Sequence, residues 1–275
     1  VSYKFVENHE IYVMRNGQWQ WIGSEEAEIG DIVGEAFEPE DRNGTQQGMT
    51  LCERITCSDT YTKKRIEASP DVQRLVGYFL ADGSVNECEG CVQFDFANHE
   101  EENLSDVEEI LLKNFNKKST RTPHGENCTR LKCYSKGMFN YFNNNFYDSE
   151  RNKHYPWDLS RLSRGDCISL LAGLVRGDGA IGENAVSFYN SNTHLIHLAH
   201  RLFARIGVAA SVHIRDPREI VIKGRLVKQT KPEWTVTSGS KTTTVALKQI
   251  IEEITCENSR FTERLFISEN FCCGR

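Results

Sequence analysis

An α+β fold built from two related halves is the expectation for this 275-residue chain, and three observations support it. Two nine-residue stretches 96 positions apart nearly repeat one another: Leu75-Val-Gly-Tyr-Phe-Leu-Ala-Asp82-Gly83 and Leu171-Ala-Gly-Leu-Val-Arg-Gly-Asp178-Gly179. Each is followed by strand, helix and strand patterns in a similar order. Ahead of both lies a short, strongly acidic segment that reads as small strands.

The repeated stretches predict two helices. Ser69-Pro70-Asp71 supplies an N-cap, a first-turn proline and a first-turn acid, so a helix begins there and runs through Leu75, Val76 and Phe79. In the second copy Ser163 stands three residues before Asp166, an imperfect capping box, and Leu170, Leu171, Leu174 and Val175 form the apolar face. Gly83 and Gly179 are expected to end the helices by accepting the left-handed conformation. Gly77 with Ala81, and Gly173 with Gly177, place small residues four apart on one helical face, where two backbones can approach closely. Packing these faces together brings Asp82 beside Asp178. An acid in the last turn is disfavoured by the helix dipole by about 0.3–1 kcal/mol, so two at equivalent positions call for a compensating cation.

The flanking patterns fill out each half. After Asp82 come a hairpin around Glu89-Gly90, the alternating strand Cys91–Phe96, and a helix from about Ser105 to Phe115. A hairpin from Arg121 to Tyr134 and a helix around Met138 to Phe146 complete the half. After Asp178 come Ala185–Tyr189, a helix from Thr193 to Ile206, and strands around Val208–Arg215, Glu219–Ile222 and Trp234–Thr237. A last helix is expected near Thr243–Ile254.

Net charge is −6, an awkward sign for a nucleic-acid partner until its distribution is followed. Residues 1–60 hold four basic and twelve acidic side chains, a balance of −8, which leaves +2 for the remainder. Within that remainder, residues 113–136 hold Lys113, Lys117, Lys118, Arg121, Arg130, Lys132 and Lys136 against only Glu126, and a second basic stretch runs from Arg215 through Arg218, Lys223, Arg225 and Lys228 to Lys231, opposed by Asp216 and Glu219. Two clusters at corresponding places in two repeats suit a surface that tracks phosphates. No apolar run reaches membrane-spanning length and no signal peptide is visible. Ten irregularly spaced cysteines resemble reduced intracellular thiols, so the expected compartment is intracellular, in the cytoplasm. Cys88, Cys91, Cys128 and Cys133 would make a four-thiolate zinc site only if their two hairpins converge. His194, His197 and His200 drift around their helix and read as surface residues.

With both motifs matching at the leucine, the glycine and the final Asp-Gly, the chain resembles a monomeric, two-repeat LAGLIDADG homing endonuclease of the kind carried in inteins, over roughly residues 65–260. It departs at the sixth motif position, often acidic in the family, which is Leu80 and Arg176 here. The resemblance implies two pseudo-symmetric αββαββα halves, at 66–158 and 163–268, with the motif helices at a pseudo-dyad and saddle-shaped antiparallel sheets over the DNA major groove. It implies Mg²⁺-dependent hydrolysis of double-stranded DNA at a long asymmetric site, with Mn²⁺ able to substitute. Asp82 and Asp178 would bind the metal together with the carbonyls of Ala81 and Gly177. Asn152-Lys153-His154-Tyr155-Pro156 resembles the Lys-x-Ile-Pro block whose lysine reaches the active site, with Tyr155 in place of isoleucine, so Lys153 joins the catalytic set. Lys248 and Arg260 stand near the corresponding place of the second half. DNA contacts are expected from Arg121, Arg130, Lys132, Arg215, Arg218, Lys223, Arg225 and Lys228.

Residues 1–60 resemble part of a Hint-type intein splicing domain, with His9 before a strand and Gly30-Asp31-Ile-Val33 after it. The leading Cys or Ser nucleophile and a terminal His-Asn pair are both missing, so His9 reads as a structural remnant and the chain alone is not expected to splice. Two other functions fit the same residues: a non-cleaving nucleic-acid binder such as a maturase or regulator, and a fragment of an autoprocessing intein. Proteins of the first kind commonly lose the motif acids, and both are present here.

Overall fold

The computed structural model describes residues 9–33, 48–54, 61–182, 185–222 and 225–238. The chain divides into two compact units, 1–39 and 40–275. In the first, β1 (Glu10–Arg15), β2 (Gln18–Gly23) and β3 (Ile32–Val33) form an antiparallel sheet in the order β2-β1-β3. Asn16 and Gly17 close the β1–β2 hairpin at φ 54° and 78°, the paired left-handed conformation of a two-residue type I′ turn. Ile11, Val13 and Ile22 are its buried cluster. Arg15 grips Asp31 with two hydrogen bonds of 2.8 and 2.6 Å, which hold the Asp31 carboxyl down at about 2.

The second unit opens with the hairpin of β4 (Gly48–Arg54) and β5 (Tyr61–Glu67), whose Met49, Leu51 and Ile66 are buried in the main core. The boundary expected near residue 60 falls inside this hairpin. Next come α1 (Pro70–Asp82), β6 (Gly83–Asn86), β7 (Cys91–Ala97), α2 (Glu101–Ile110), β8 (Thr120–Pro123), β9 (Cys128–Tyr134) and α3 (Lys136–Asn145). The helix expected from Ser105 starts earlier, at Glu101, and continues beyond Ile110 in a wider π turn to Phe115. The second series is α4 (Arg164–Asp178), β10 (Gly179–Ile181), β11 (Val186–Asn190), α5 (Thr193–Arg205), β12 (Ala210–Arg215), β13 (Glu219–Ile222), β14 (Arg225–Lys228) and β15 (Glu233–Ser238). The final expected helix, Lys248 and Arg260 lie outside the described residues.

The repeat is visible in the topology. The first sheet runs β6-β7-β9-β8 and the second β10-β11-β15-β12, the same order once β13 and β14 are recognised as an added hairpin between β12 and β15. All ladders are antiparallel. Because side chains alternate along a strand, the registers divide each sheet into two faces. Val92, Phe94, Phe96, Leu131 and Cys133 of the first sheet, and Val186, Phe188 and Val236 of the second, are buried on the helix-covered faces. The other faces carry Ser84, Gln93, Asp95, Arg130 and Lys132 on one sheet and Ser187, Tyr189, His213, Thr235 and Thr237 on the other.

Both helix starts follow their sequence signals. Ser69 Oγ accepts from the Val72 amide, and the Ser163/Asp166 capping box is complete in both directions, with aspartate in the place more usual for glutamate. The helix ends differ from expectation: Gly83 (φ −79°) and Gly179 (φ −124°) are extended rather than left-handed. Each helix passes straight into a sheet strand, and space is what demands glycine there. A Cβ on Gly83 would lie 2.7 Å from Phe79 O, and one on Gly179 2.6 Å from Ser187 O.

Candidate active site at two paired helix ends

α1 and α4 meet backbone to backbone. A Cβ on Gly77 would lie 2.8 Å from the Cα of Gly173, and one on Gly173 would lie 2.8 Å from the Tyr78 nitrogen and press on the Arg74 carbonyl. No larger residue fits at this crossing without separating the helices. Below it, Arg74 makes a bidentate pair with Asp106 of α2 at 2.8 Å per bond, and the Tyr78 hydroxyl donates to the same carboxylate at 3.0 Å. Arg176 of α4 reaches the Tyr78 hydroxyl at 3.3 Å, and Asn103 Nδ2 donates to the Arg176 carbonyl at 3.2 Å. This buried polar network ties α1, α2 and α4 together, and its pairing across a hundred residues gives no signal in local sequence spacing.

The crossing carries the two motif aspartates to one place. A Cβ on Gly177 would lie 2.8 Å from Asp82 Oδ2, so the missing side chain at Gly177 makes the space that Asp82 occupies beside the end of α4. Burial, and then the charge of Asp178, push the Asp82 carboxyl up to about 7 against an ordinary 3.8. Asp178 is raised as well, again chiefly by burial, while Lys153 and a hydrogen bond from Asn190 oppose the shift. Among the described residues nothing donates a hydrogen bond to Asp82, whereas Asn190 Nδ2 donates to Asp178 Oδ2 at 2.8 Å.

Lys153 arrives from the linker between the halves. Its ammonium donates to the carbonyls of Phe79, Leu80 and Ala81 at 3.0, 3.1 and 2.9 Å, using its three protons on the last turn of α1. The lysine therefore offsets the negative helix end that an acid there would otherwise aggravate. No ion pair joins it to either aspartate; it acts on both through space, and burial lowers its own ionisation to about 8. The Ala81 carbonyl, expected to face a metal, accepts from Lys153 and has one lone pair left.

A divalent cation fits this chemistry. Two largely desolvated carboxylates share one ammonium whose protons are already committed, so the site is short of positive charge. The donors are hard oxygens, Asp82, Asp178 and adjoining carbonyls, which suit Mg²⁺ or Mn²⁺. Among the described residues no cluster of three or more His, Cys, Asp or Glu side chains converges at any place, so the pair Asp82 and Asp178 would need carbonyls to complete a cation's shell. The zinc expectation fails on geometry: Cys133 lies on the buried face against Met138, while Cys91 and Cys128 stand on the opposite face at opposite ends of β7–β9.

The expected DNA-contacting residues separate in the same way. Arg121 sits in register with Phe94 and Leu131, on the helix-side face, where it binds Glu101 and Glu108 of α2 at 2.6 and 2.7 Å; its place is a strand-to-helix clamp rather than the open face. Arg130 and Lys132 do occupy the open face, paired with Asp95 (2.6 Å) and Glu89 (2.8 Å). Arg215 and Lys228 are exposed and pair with Glu233 (3.3 Å) and Glu219 (3.6 Å). Arg218 is exposed beside the added hairpin. Lys223 lies outside the described residues, and only the backbone position of Arg225, in β14, is described.

Residues 69–144, the first of the two related series, match the LAGLIDADG-like domain family. An uncharacterized protein of Methanocaldococcus jannaschii is 24% identical over 224 residues, 78% of this chain. A Methanopyrus kandleri protein named as a component of the A-type ATP synthase is 27% identical over 168 residues, 59% of this chain. The chain spans only 27% and 16% of the lengths of these relatives. Among solved structures, mesophilic variants of the homing endonuclease I-DmoI are similar at 18% identity and TM-score 0.48, covering 67% of this chain and 96% of theirs. The N-terminal LAGLIDADG domain of WhiA is similar at 10% identity and TM-score 0.41, covering 67% of this chain and 83% of its own.

Proposed function

We propose that this protein is a divalent-metal-dependent endonuclease that hydrolyses both strands of double-stranded DNA at a long, asymmetric site. The observation that supports this most directly is the pair of matched carboxylates, Asp82 and Asp178, desolvated side by side at the ends of two helices that cross glycine on glycine. A surplus of buried negative charge at a pseudo-dyad has no structural benefit of its own. It suits a centre at which two phosphodiesters are attacked by water. Asp82 and Asp178, with the carbonyls of Ala81 and Gly177, would hold Mg²⁺, with Mn²⁺ able to replace it. The bound ion would supply Lewis acidity and countercharge at the scissile phosphates. Lys153 keeps the end of α1 in place and adds positive potential beside the leaving oxygen.

The open faces of the two sheets are the DNA-binding surface in this reading. Arg130 and Lys132 on one, and Arg215, Arg218, Arg225 and Lys228 on the strands and added hairpin of the other, together with Lys223, would contact phosphates, with Arg130, Lys132, Arg215 and Lys228 exchanging their carboxylate partners for them. The extra hairpin makes the halves unequal, which suits a non-palindromic target. One chain supplies both carboxylates, so a monomer suffices. The free thiols of Cys52, Cys88, Cys91, Cys128, Cys133 and Cys167 favour a reducing, intracellular compartment. The front unit, and the small share of an ATP synthase component that the chain matches, favour a module carried within a larger host protein, as in an intein.

The test is cleavage of plasmid libraries in Mg²⁺ by the wild type, Asp82→Asn and Asp178→Asn. Each variant is expected to bind DNA and fail to linearise it; full double-strand cleavage by either would refute the assignment.

A further inference from the structure

Two asparagines that no motif singles out connect the candidate catalytic groups of the two halves. Asn190, at the end of β11, donates from Nδ2 to Asp178 Oδ2 at 2.8 Å and accepts at Oδ1 from the amide of Asn192 at 2.9 Å. Asn192 accepts at Oδ1 from the His194 amide at 3.0 Å, capping α5, and donates from Nδ2 to the Lys153 carbonyl at 2.7 Å. Both amide orientations are dictated by their partners: a carboxylate and a carbonyl can only accept, and a backbone N–H can only donate. The path then continues through Lys153 Nζ to the Phe79, Leu80 and Ala81 carbonyls that precede Asp82. Asp178 is thus tied, through the β11–α5 junction and the linker lysine, to the helix that carries the other carboxylate.

The two halves do not share this device. Strand register places Phe188 opposite Gly179 and Phe94 opposite Gly83, so the residue corresponding to Asn190 in the first half is the buried Phe96, which has no donor to offer Asp82. Among the described residues one carboxylate is oriented by a hydrogen bond before any ligand arrives and the other is not.

We infer that Asn190 is a positioning residue for Asp178, and Asn192 for Lys153, and that they make the two carboxylates inequivalent, so that the two DNA strands are cut with different dependence on this junction. The inference rests on the endonuclease reading above. Removing a hydrogen-bond partner behind a metal-binding side chain typically lowers metal affinity or activity about 10–100-fold.

The experiment compares wild type, Asn190→Leu, Asn190→Ser and Asn192→Asp. Mn²⁺ affinity is measured by calorimetry, the nicked and linear products of a supercoiled target plasmid are followed in time, and thermal unfolding is recorded in chelator. Asn190→Leu is expected to bind Mn²⁺ about tenfold more weakly and to accumulate nicked plasmid, because one strand is slowed more than the other. Asn190→Ser, which keeps a shorter donor, should fall between it and the wild type. Asn192→Asp keeps the cap on α5 but loses the bond to Lys153, and should slow cleavage with less effect on Mn²⁺ binding. A purely structural role would instead lower the unfolding temperature and slow both strands equally, overturning the inference. Equal Mn²⁺ affinity and an unchanged nicked-to-linear ratio in folded Asn190→Leu and Asn190→Ser would overturn it while leaving the endonuclease reading intact. A wild type that binds no Mn²⁺ and cuts no DNA would overturn both.

Discussion

Asp82→Asn should stabilise the metal-free protein at neutral and alkaline pH while removing its proposed activity. Burial and the neighbouring Asp178 raise the Asp82 carboxyl from 3.8 to about 7. At about 1.4 kcal/mol per tenfold, keeping it ionised in the fold costs about 4 kcal/mol. The folded state holds this proton more tightly than the unfolded state does. The contribution of Asp82 to stability is therefore greatest below about pH 4, falls as pH rises, and reaches its floor above about pH 7. Asparagine carries no charge to desolvate and removes that fall. That cost is already net of the attraction from the buried ammonium of Lys153; a partly buried amide left without a partner takes back some of the gain, which leaves about 2–4 kcal/mol at pH 8. For a domain of this size, roughly 2–4 °C per kcal/mol gives a rise in unfolding temperature of about 5–15 °C. The assay is thermal unfolding in chelator at pH 4.5 and pH 8. The gain should be large at pH 8 and shrink at pH 4.5, and added Mn²⁺ should raise the unfolding temperature of the wild type but not of the variant. A variant no more stable than wild type at pH 8, or a gain that does not shrink in acid, would refute the account of the site as electrostatically strained.

Gly173→Ala places a methyl against the backbone of Arg74 and Tyr78, and should cost about 2 kcal/mol by urea unfolding despite the better helix propensity of alanine; a stabilised variant would contradict the helix crossing. Arg121→Ala should leave the slope of log DNA affinity against log salt unchanged, because its guanidinium is held by Glu101 and Glu108, whereas Lys132→Ala and Arg215→Ala should each flatten it by up to about 0.9. Removal of residues 1–39 should leave specific DNA affinity within roughly tenfold, measured by gel shift. Removal through residue 60 should unfold the protein, since it strips Met49 and Leu51 from the core.

The amino-acid sequence alone determined the two motif helices, their starts and their close approach, because these depend on residues within a few positions of one another. Ser69-Pro70, Ser163 with Asp166, and the small residues at Gly77 and Gly173 act through the 3.6-residue period and through local capping. It also paired Asp82 with Asp178, since a repeat implies an axis and equivalent residues gather beside it. What it could not supply depended on register and distance. Strand alternation shows that neighbours in sequence face opposite ways, but only the pairing of β8 with β9 decided that Arg121 turns toward α2 while Arg130 and Lys132 turn outward. The glycines after both aspartates were visible, but their reason was not: a strand ladder beginning at once, rather than a left-handed turn, excludes any side chain there. Lys153 was placed near the site by resemblance, yet its three carbonyl partners lie more than seventy residues away in sequence. Asn190 and Asn192 look like ordinary turn and cap residues until packing brings Asp178 and the linker within hydrogen-bonding distance. Local periodicity carries the elements and their apolar faces; the partners of a buried charge are chosen only when the chain closes around it, because only then does desolvation make each unpaired donor or acceptor costly.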